Sequence, residues 1–177
     1  MGLRGRIAFK DSTCFFVTTT CNGFKHLFLD ERYYTVLKKS LLFLNEKYKV
    51  ELLAYVLMPN HVHLVLNFIE ENHLSAYMRD FKKYTAYRIR KLFELDDRKG
   101  LLKAIEYERG KQKFKVWQDR FDDVVIETEN VLTTKIEYIH QNPVRAKLVN
   151  NPEEYSYSSA GYYHSIFNED PLVISFR

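Results

Sequence analysis

The chain has 177 residues and a formal net charge of +4, and its 46% hydrophobic and 28% charged residues exclude a disordered protein. No apolar run approaches the ~20 residues that a membrane span needs, and the two cysteines are too few for a disulfide framework. We therefore expect a cytoplasmic protein with reduced thiols, no membrane partner and, given its basic balance, an anionic partner.

Apolar and β-branched runs predict four strands, at residues 14–20, 50–57, 61–67 and 114–126. Helical spacing predicts three helices: one that Asp30 caps, with an apolar stripe from Tyr33 to Tyr48, a second over about 75–92, and a third over about 129–142 that Thr128 caps and Pro143 ends. Residues 94–112 are predicted to form a loop, with a short helix near 101–108 as the alternative.

The order of these elements is strand, helix, strand, strand, helix, strand, helix. It predicts an α+β sandwich of the ferredoxin-like type, with an antiparallel sheet and helices mainly on one face. We expect a single domain over residues 1–177, with a core at about 10–150 and a Tyr- and Ser-rich tail at about 151–177 that is ordered but irregular.

Two histidines stand at the start of the third predicted strand. His61 and His63 are separated by one residue, so on a strand their side chains share a face while Val62 points the other way. Two neutral imidazoles on one rigid face can bind a divalent metal. The alternative is a chance pair on an exposed strand face.

A tyrosine on the last predicted helix faces away from the stripe of that helix. Tyr138 lies about 200° around the helix from Ile136, and Asn142 follows four residues later on the same side as Tyr138. With its proton removed, a tyrosine can attack a phosphodiester, and a divalent metal polarises the phosphate. The alternative is that Tyr138 is a residue at the edge of the core.

Several motifs occur together in one order. They are FFVTTT (15–20), YVLMPNHVHLVL (55–66), MRDFKKYT (78–85), VWQDRF (116–121), YIHQNPVRAKLV (138–149) and, more weakly, EEYSYSS (153–159). On these motifs the chain resembles the REP-associated tyrosine transposases, which are single-tyrosine HUH transposases of bacterial insertion sequences. The resemblance also implies an RRM-related form of the ferredoxin-like fold.

The resemblance implies roles for four residues. His61 and His63 would bind Mg²⁺ or Mn²⁺, Tyr138 would be the nucleophile, and Asn142 would be a third metal ligand where better-studied relatives have Gln. The implied substrate is single-stranded DNA that carries imperfect hairpins. Tyr84 and Tyr87 on the second helix are the alternative nucleophiles.

Basic residues supply a candidate DNA surface. We expect the second helix to form part of the DNA groove, and phosphate contacts from Arg120, Arg145 and Lys147; the basic residues of that helix are Arg79, Lys82, Lys83, Arg88 and Arg90. The alternative for the helix is a solvated face. Trp117 is assigned to the core, with stacking on a base as the alternative.

Three functions remain open at this point. The first is a transposase that cuts and rejoins single-stranded DNA through a phosphotyrosine. The second is an inactive module that binds single-stranded nucleic acid, and the third is a metal-dependent nuclease that uses water as its nucleophile. The oligomeric state is open as well, a homodimer included.

Overall fold

The computed structural model describes residues 13–110, 112–164 and 170–173. The strands in these ranges are β1 (Cys14–Thr20), β2 (Val50–Leu57), β3 (His61–Phe68), β4 (Glu106–Arg109), β5 (Gln112–Phe114) and β6 (Asp122–Val125). The helices are α1 (Glu31–Tyr48), α2 (Leu74–Leu95), α3 (Lys99–Ile105), α4 (Glu129–His140), α5 (Asn142–Arg145) and α6 (Ala160–Tyr163). The expected domain limits at 1, about 10 and 177 lie outside the described residues.

Four of the strands form one sheet, in the order β2-β3-β1-β6, and each neighbouring pair is antiparallel. Strand β3 lies between β1 and β2, and β1 lies between β3 and β6. The chain forms two strand–helix–strand units, β1-α1-β2 and β3-α2-β6. The strands of each unit are separated in the sheet by a strand of the other, as the ferredoxin-like arrangement requires. The predicted α+β class with an antiparallel sheet is confirmed.

Helices α1 and α2 cover one face of this sheet. Asp30 caps α1 as predicted, because its carboxylate accepts a hydrogen bond from the backbone N–H of Arg32 at 3.0 Å. The apolar stripes of both helices are buried against β1 and β3, with Leu37 and Phe81 fully enclosed. None of the described helices has both the length and the apolar character that a membrane crossing requires.

Helix α4 packs on the opposite face of the sheet. Thr128 caps it as predicted, accepting a hydrogen bond from the N–H of Val131 at 3.3 Å. Leu132 and Ile139 are buried in a second cluster that includes sheet residues. Full burial of a side chain such as Ile139 contributes about 2 kcal/mol, so these contacts fix α4, and with it Tyr138, against the sheet.

The region between α2 and α4 differs from the prediction. Residues 94–112 are not a loop: the short helix that was the alternative near 101–108 is present as α3, slightly earlier in the chain, and β4 follows it and pairs with β5 in a separate hairpin. The predicted strand at 114–126 is wrong over residues 115–121, where a single antiparallel bridge between Trp117 and Cys21 replaces it. There the chain turns inward to bury Trp117, whose Nε1 donates a hydrogen bond to Thr85 Oγ1 at 2.9 Å, as its assignment to the core predicts. Strand β6 starts only at Asp122.

The end of α4 also differs from the prediction. The helix stops at His140 rather than at Asn142, and Pro143 lies at the start of α5 instead of ending the helical path. Proline fits the first turn of a helix because the N–H that it lacks has no helical partner there.

The described part of the tail following α5, up to residue 164, includes a 3-10 turn at Pro152–Glu154 and helix α6, so it is only partly irregular. The rest of the predicted tail lies largely outside the described residues. It covers the free edge of β2: the N–H of Leu57 donates to the carbonyl of Tyr157 at 2.8 Å, and that of Ser159 donates to the carbonyl of Tyr55 at 3.0 Å. Pairing of this kind keeps an edge strand from joining other chains.

Candidate active site

The two histidines stand side by side on β3, as the alternation of strand side chains predicts. Their ring centroids are 4.8 Å apart. They share the sheet face that α4 covers, because His63 stacks on Phe16, a residue of the α4-side cluster, with centroids 5.4 Å apart. Val62 points to the other face and is buried under α1 and α2. His63 is buried, whereas His61 is half-buried.

Each histidine ring is held through its Nδ1 atom. The Nδ1 of His61 lies 2.6 Å from Asn60 Oδ1, and the Nδ1 of His63 lies 2.8 Å from Thr18 Oγ1. An amide oxygen can only accept, so the Nδ1 of His61 carries the hydrogen. If the Nδ1 of His63 donates to the Thr18 hydroxyl in the same way, both Nε2 atoms keep a lone pair. That is the tautomer in which imidazole binds a metal through Nε2.

Both imidazoles are held in the neutral form. Burial, together with smaller contributions from the nearby His61, Arg145 and Lys135, lowers the pKa of His63 from 6.5 to about 3. Burial also lowers the pKa of His61, with a smaller contribution from His26. Neutral imidazole is the form that coordinates a cation, so the site is ready for a metal at neutral pH.

Tyr138 lies directly beside this pair. Its ring contacts His63 and Phe16 edge to face, with centroid distances of 5.5 Å and 5.8 Å, and 37% of the residue is exposed. The neighbouring Ile139 is buried, so the α4 backbone is fixed while the Tyr138 side chain stays open to solvent. The alternative tyrosines, Tyr84 and Tyr87, lie on α2, which packs on the other face of the sheet.

Asn142 joins the same cluster. Its amide is close enough to both imidazoles to act as a hydrogen-bond partner that raises the pKa of His61 and of His63. Its Nδ2 also donates to the backbone carbonyl of Tyr138 at 3.1 Å. Because the nitrogen is engaged in this way, the amide oxygen is the atom left for a cation.

Two cations flank the tyrosine. The guanidinium carbon of Arg145 lies 4.6 Å from the centroid of the Tyr138 ring. The ammonium of Lys135 lies 4.7 Å from the centroid of Phe16 and 6.0 Å from that of Tyr138. The site therefore combines two neutral imidazoles, an amide, a phenol and two positive charges, a set suited to an anionic substrate.

The other predicted DNA contacts are separated from this cluster. Arg79, Lys82 and Lys83 line a groove of about 950 Å³ between α2 and the β4–β5 hairpin, on the far side of the sheet from the histidines. Arg90 also lines the groove, whereas Arg88 and Arg120 are exposed outside it. Lys147 is exposed just after α5, with its backbone in the left-handed region at φ 57°.

Some of these cations already have protein partners. Arg79 forms an ion pair with Asp80 at 3.0 Å. Lys82 donates to the carbonyls of Asp119 and Arg120 at 3.0 Å and 3.2 Å, and burial lowers its pKa to about 8. Among the described residues, Lys83 forms no ion pair, so its charge is the more readily available to a phosphate.

Sequence reasoning missed four residues of the site: Phe16, Thr18, Asn60 and Lys135. Each had a signal. Phe16 and Thr18 lie in the FFVTTT strand that pairs with β3, Asn60 precedes His61 in the turn, and Lys135 precedes Tyr138 by three residues on one side of a helix. Within the described ranges, three or more His, Cys, Asp or Glu side chains nowhere cluster as metal ligands, so a metal here would rest on two imidazoles and an amide.

Comparison with known proteins agrees with this architecture. A curated relative from Haemophilus influenzae, named "Putative REP-associated tyrosine transposase", is 27% identical over 117 residues, which is 64% of this chain and 61% of the relative. The match thus spans less than two thirds of that relative's length.

A solved structure of a REP-associated tyrosine transposase bound to a REP hairpin has a TM-score of 0.66 at 19% identity, covering 95% of this chain and 87% of the other. The resemblance inferred from the motifs is confirmed by these matches. The family described as "Transposase IS200 like" matches residues 13–142, which include His61, His63, Tyr138 and Asn142. Because this match covers most of the chain, the protein belongs to the IS200-like transposase family.

Proposed function

We propose that this protein nicks and rejoins single-stranded DNA, with Tyr138 as the nucleophile and a divalent cation at His61 and His63. One observation carries the proposal: the ring of Tyr138 lies 5.5 Å from that of His63, so a solvent-accessible phenol stands next to two neutral imidazoles. Membership of a transposase family supports a strand-transfer reaction over binding alone.

The residues present fit a resident cation. His61 and His63 would bind it through their Nε2 atoms and Asn142 through its amide oxygen, since the Nδ1 atoms and the amide nitrogen have other partners. The amide oxygen and the waters that would complete the coordination suit Mg²⁺ or Mn²⁺, and two neutral imidazoles on one face can share such a divalent cation. When bound, the cation would supply Lewis-acid polarisation of the phosphate.

The chain's own residues would carry the covalent step. Tyr138 Oη attacks the phosphorus and loses its proton to water, because no carboxylate or imidazole in the site is assigned as a base. The bond from phosphorus to the 3′-oxygen breaks, and that oxygen takes a proton and leaves as a 3′-hydroxyl. Another 3′-hydroxyl then attacks the phosphotyrosine and releases Tyr138. The phosphotyrosine conserves the energy of the broken bond, so rejoining needs no nucleotide cofactor.

Hairpin-bearing DNA is the proposed substrate. The solved relative is bound to a REP hairpin. In this protein, the groove between α2 and the β4–β5 hairpin is lined by basic side chains on the side of the sheet away from Tyr138. We assign Lys83 and its neighbours to the DNA that flanks the cleaved bond and Arg145 to the cleaved segment. Location in the cytoplasm and assembly as a homodimer remain predictions.

The test is an adduct assay. The protein is mixed with labelled single-stranded hairpin DNA from beside its own gene, with Mn²⁺ or with EDTA, and resolved on a denaturing gel. We expect a Mn²⁺-dependent covalent band that Tyr138→Phe abolishes and that His61→Ala and His63→Ala also lose. Cleavage without an adduct, retained in Tyr138→Phe, would identify a hydrolytic nuclease instead. DNA binding with neither product would identify a binding module.

A further inference from the structure

Lys135 shares one side of α4 with Tyr138, three residues before it. Its ammonium lies 4.7 Å from the centroid of the Phe16 ring and 6.0 Å from that of Tyr138. Its side chain therefore runs along the sheet-facing edge of the site toward the tyrosine. The position is half-buried, which limits the directions in which the ammonium can turn.

The charge of Lys135 has no counter-ion in the part of the chain that the structure describes. The same is true there of Arg145, whose guanidinium lies 4.6 Å from the Tyr138 centroid. Two positive charges beside one ring repel each other, and solvent screens this repulsion only in part because Lys135 is half-buried, although Arg145 is exposed. Cation–π contact with Phe16 and Tyr138 offsets part of this cost, and an anion placed at the site would offset more.

The position of such an anion follows from the proposed reaction. The phosphodiester that Tyr138 attacks must approach the phenol oxygen, and its non-bridging oxygens gain charge as the new bond forms. An ammonium on the same helix side as the phenol can donate a hydrogen bond to one of these oxygens. Lysine suits this task because it acts as a point charge on a flexible stem.

We propose that Lys135 is a further catalytic residue, whose ammonium contacts a non-bridging oxygen of the phosphodiester that Tyr138 attacks. The proposal rests on the function proposed above. Lys135 keeps its protons throughout, while Tyr138 Oη forms its bond to phosphorus and the 3′-oxygen leaves as a hydroxyl. Arg145 contributes the second positive charge.

A purely structural role makes a different prediction. If Lys135 served only to cover Phe16, a Lys135→Met variant would keep most of that contact and would lose only the cation–π part. Lys38→Met is a matched control, because Lys38 also lies over an aromatic ring, with its ammonium 5.7 Å from the centroid of Tyr157, but is on α1, across the sheet from the site.

The experiment measures the single-turnover rate of adduct formation with saturating hairpin DNA and Mn²⁺, on full-length protein whose folding is checked by circular dichroism. We expect Lys135→Met to lower the rate about 100-fold while leaving DNA affinity within about 3-fold, since one phosphate contact is a small part of the total. Lys135→Arg should recover most of the rate, and Lys38→Met should match the wild type.

A folded Lys135→Met variant that forms adduct at the wild-type rate would overturn the assignment of Lys135 alone. So would a Lys135→Arg variant as slow as Lys135→Met, because charge would then not be the relevant property. If the wild-type protein forms no adduct, the proposed function fails first and this assignment fails with it. The two failures are therefore distinguishable in one experiment.

Discussion

Replacing Thr18 by valine tests whether the histidine site is held in position by its neighbours. Thr18 Oγ1 lies 2.8 Å from Nδ1 of His63, a residue that is only 5% exposed. Valine keeps the shape of the side chain but removes the hydroxyl. The buried Nδ1 then has no hydrogen-bond partner, and water cannot easily replace it.

The expected cost follows from that burial. Leaving a buried polar group without a partner costs about 1–3 kcal/mol of unfolding free energy, and removing the partner of a metal-binding histidine weakens metal affinity about 10–100-fold. Thr18→Val should therefore be less stable and should bind Mn²⁺ more weakly. Urea unfolding measures the first effect, and calorimetric titration with Mn²⁺ measures the second.

Thr19→Val is the matched control. Thr19 is the next residue in β1 and is buried on the opposite face, and its hydroxyl has no hydrogen-bond partner among the described residues. Its replacement should leave stability unchanged or raise it and should not affect Mn²⁺ binding. If Thr18→Val behaves like Thr19→Val in both measurements, the hydrogen bond to Thr18 does not position His63 and the reasoning is refuted.

Three further predictions concern other parts of the molecule. Burial lowers the pKa of His140 from its ordinary 6.5 to about 4, and the neutral ring is bonded to Ser159 Oγ at 2.8 Å. The folded protein is therefore most stable above pH 6.5, and its unfolding free energy should fall by up to about 3 kcal/mol as the pH falls toward 4. Urea unfolding of His140→Asn should show a flatter pH profile than the wild type, and an unchanged profile would contradict this. Trp117→Phe removes the hydrogen bond to Thr85 and leaves a cavity, so its unfolding free energy, followed by circular dichroism, should fall by about 2 kcal/mol, whereas a loss near zero would contradict the burial. Lys83→Gln should reduce the slope of log affinity against log salt for single-stranded DNA by about 0.7, and a slope equal to that of the wild type would remove α2 from the proposed DNA surface.

The elements with strong periodicity could be predicted from the sequence. Strands β1 to β3 and the apolar stripes of α1 and α2 follow from runs and spacings in the chain, and the split order of strands and helices predicts the sheet. The placement of His61 and His63 on one face needs only the two-residue period of a strand. These features are local, or follow directly from local ones.

What the sequence did not predict depends on tertiary contacts. Residues 115–121 have strand-like composition, but burial of Trp117 under α2 interrupts the strand and leaves only a single antiparallel bridge from Trp117 to Cys21. The hydrogen bond from Thr18 to His63 requires the register of β1 on β3, which no local pattern specifies. The basic residues of α2 are visible in the sequence, but their position across the sheet from Tyr138 follows only from the packing of α2 and α4 on opposite faces.

The most direct test of the account is to identify the amino acid that becomes attached to DNA. The wild-type protein is incubated with hairpin DNA and Mn²⁺, the adduct is digested with protease and nuclease, and the modified peptide is sequenced by mass spectrometry. The account predicts a nucleotide on Tyr138, within the peptide that contains YIHQNPVR. A nucleotide on Tyr84 or Tyr87, or on no residue although the DNA is cut, would contradict it.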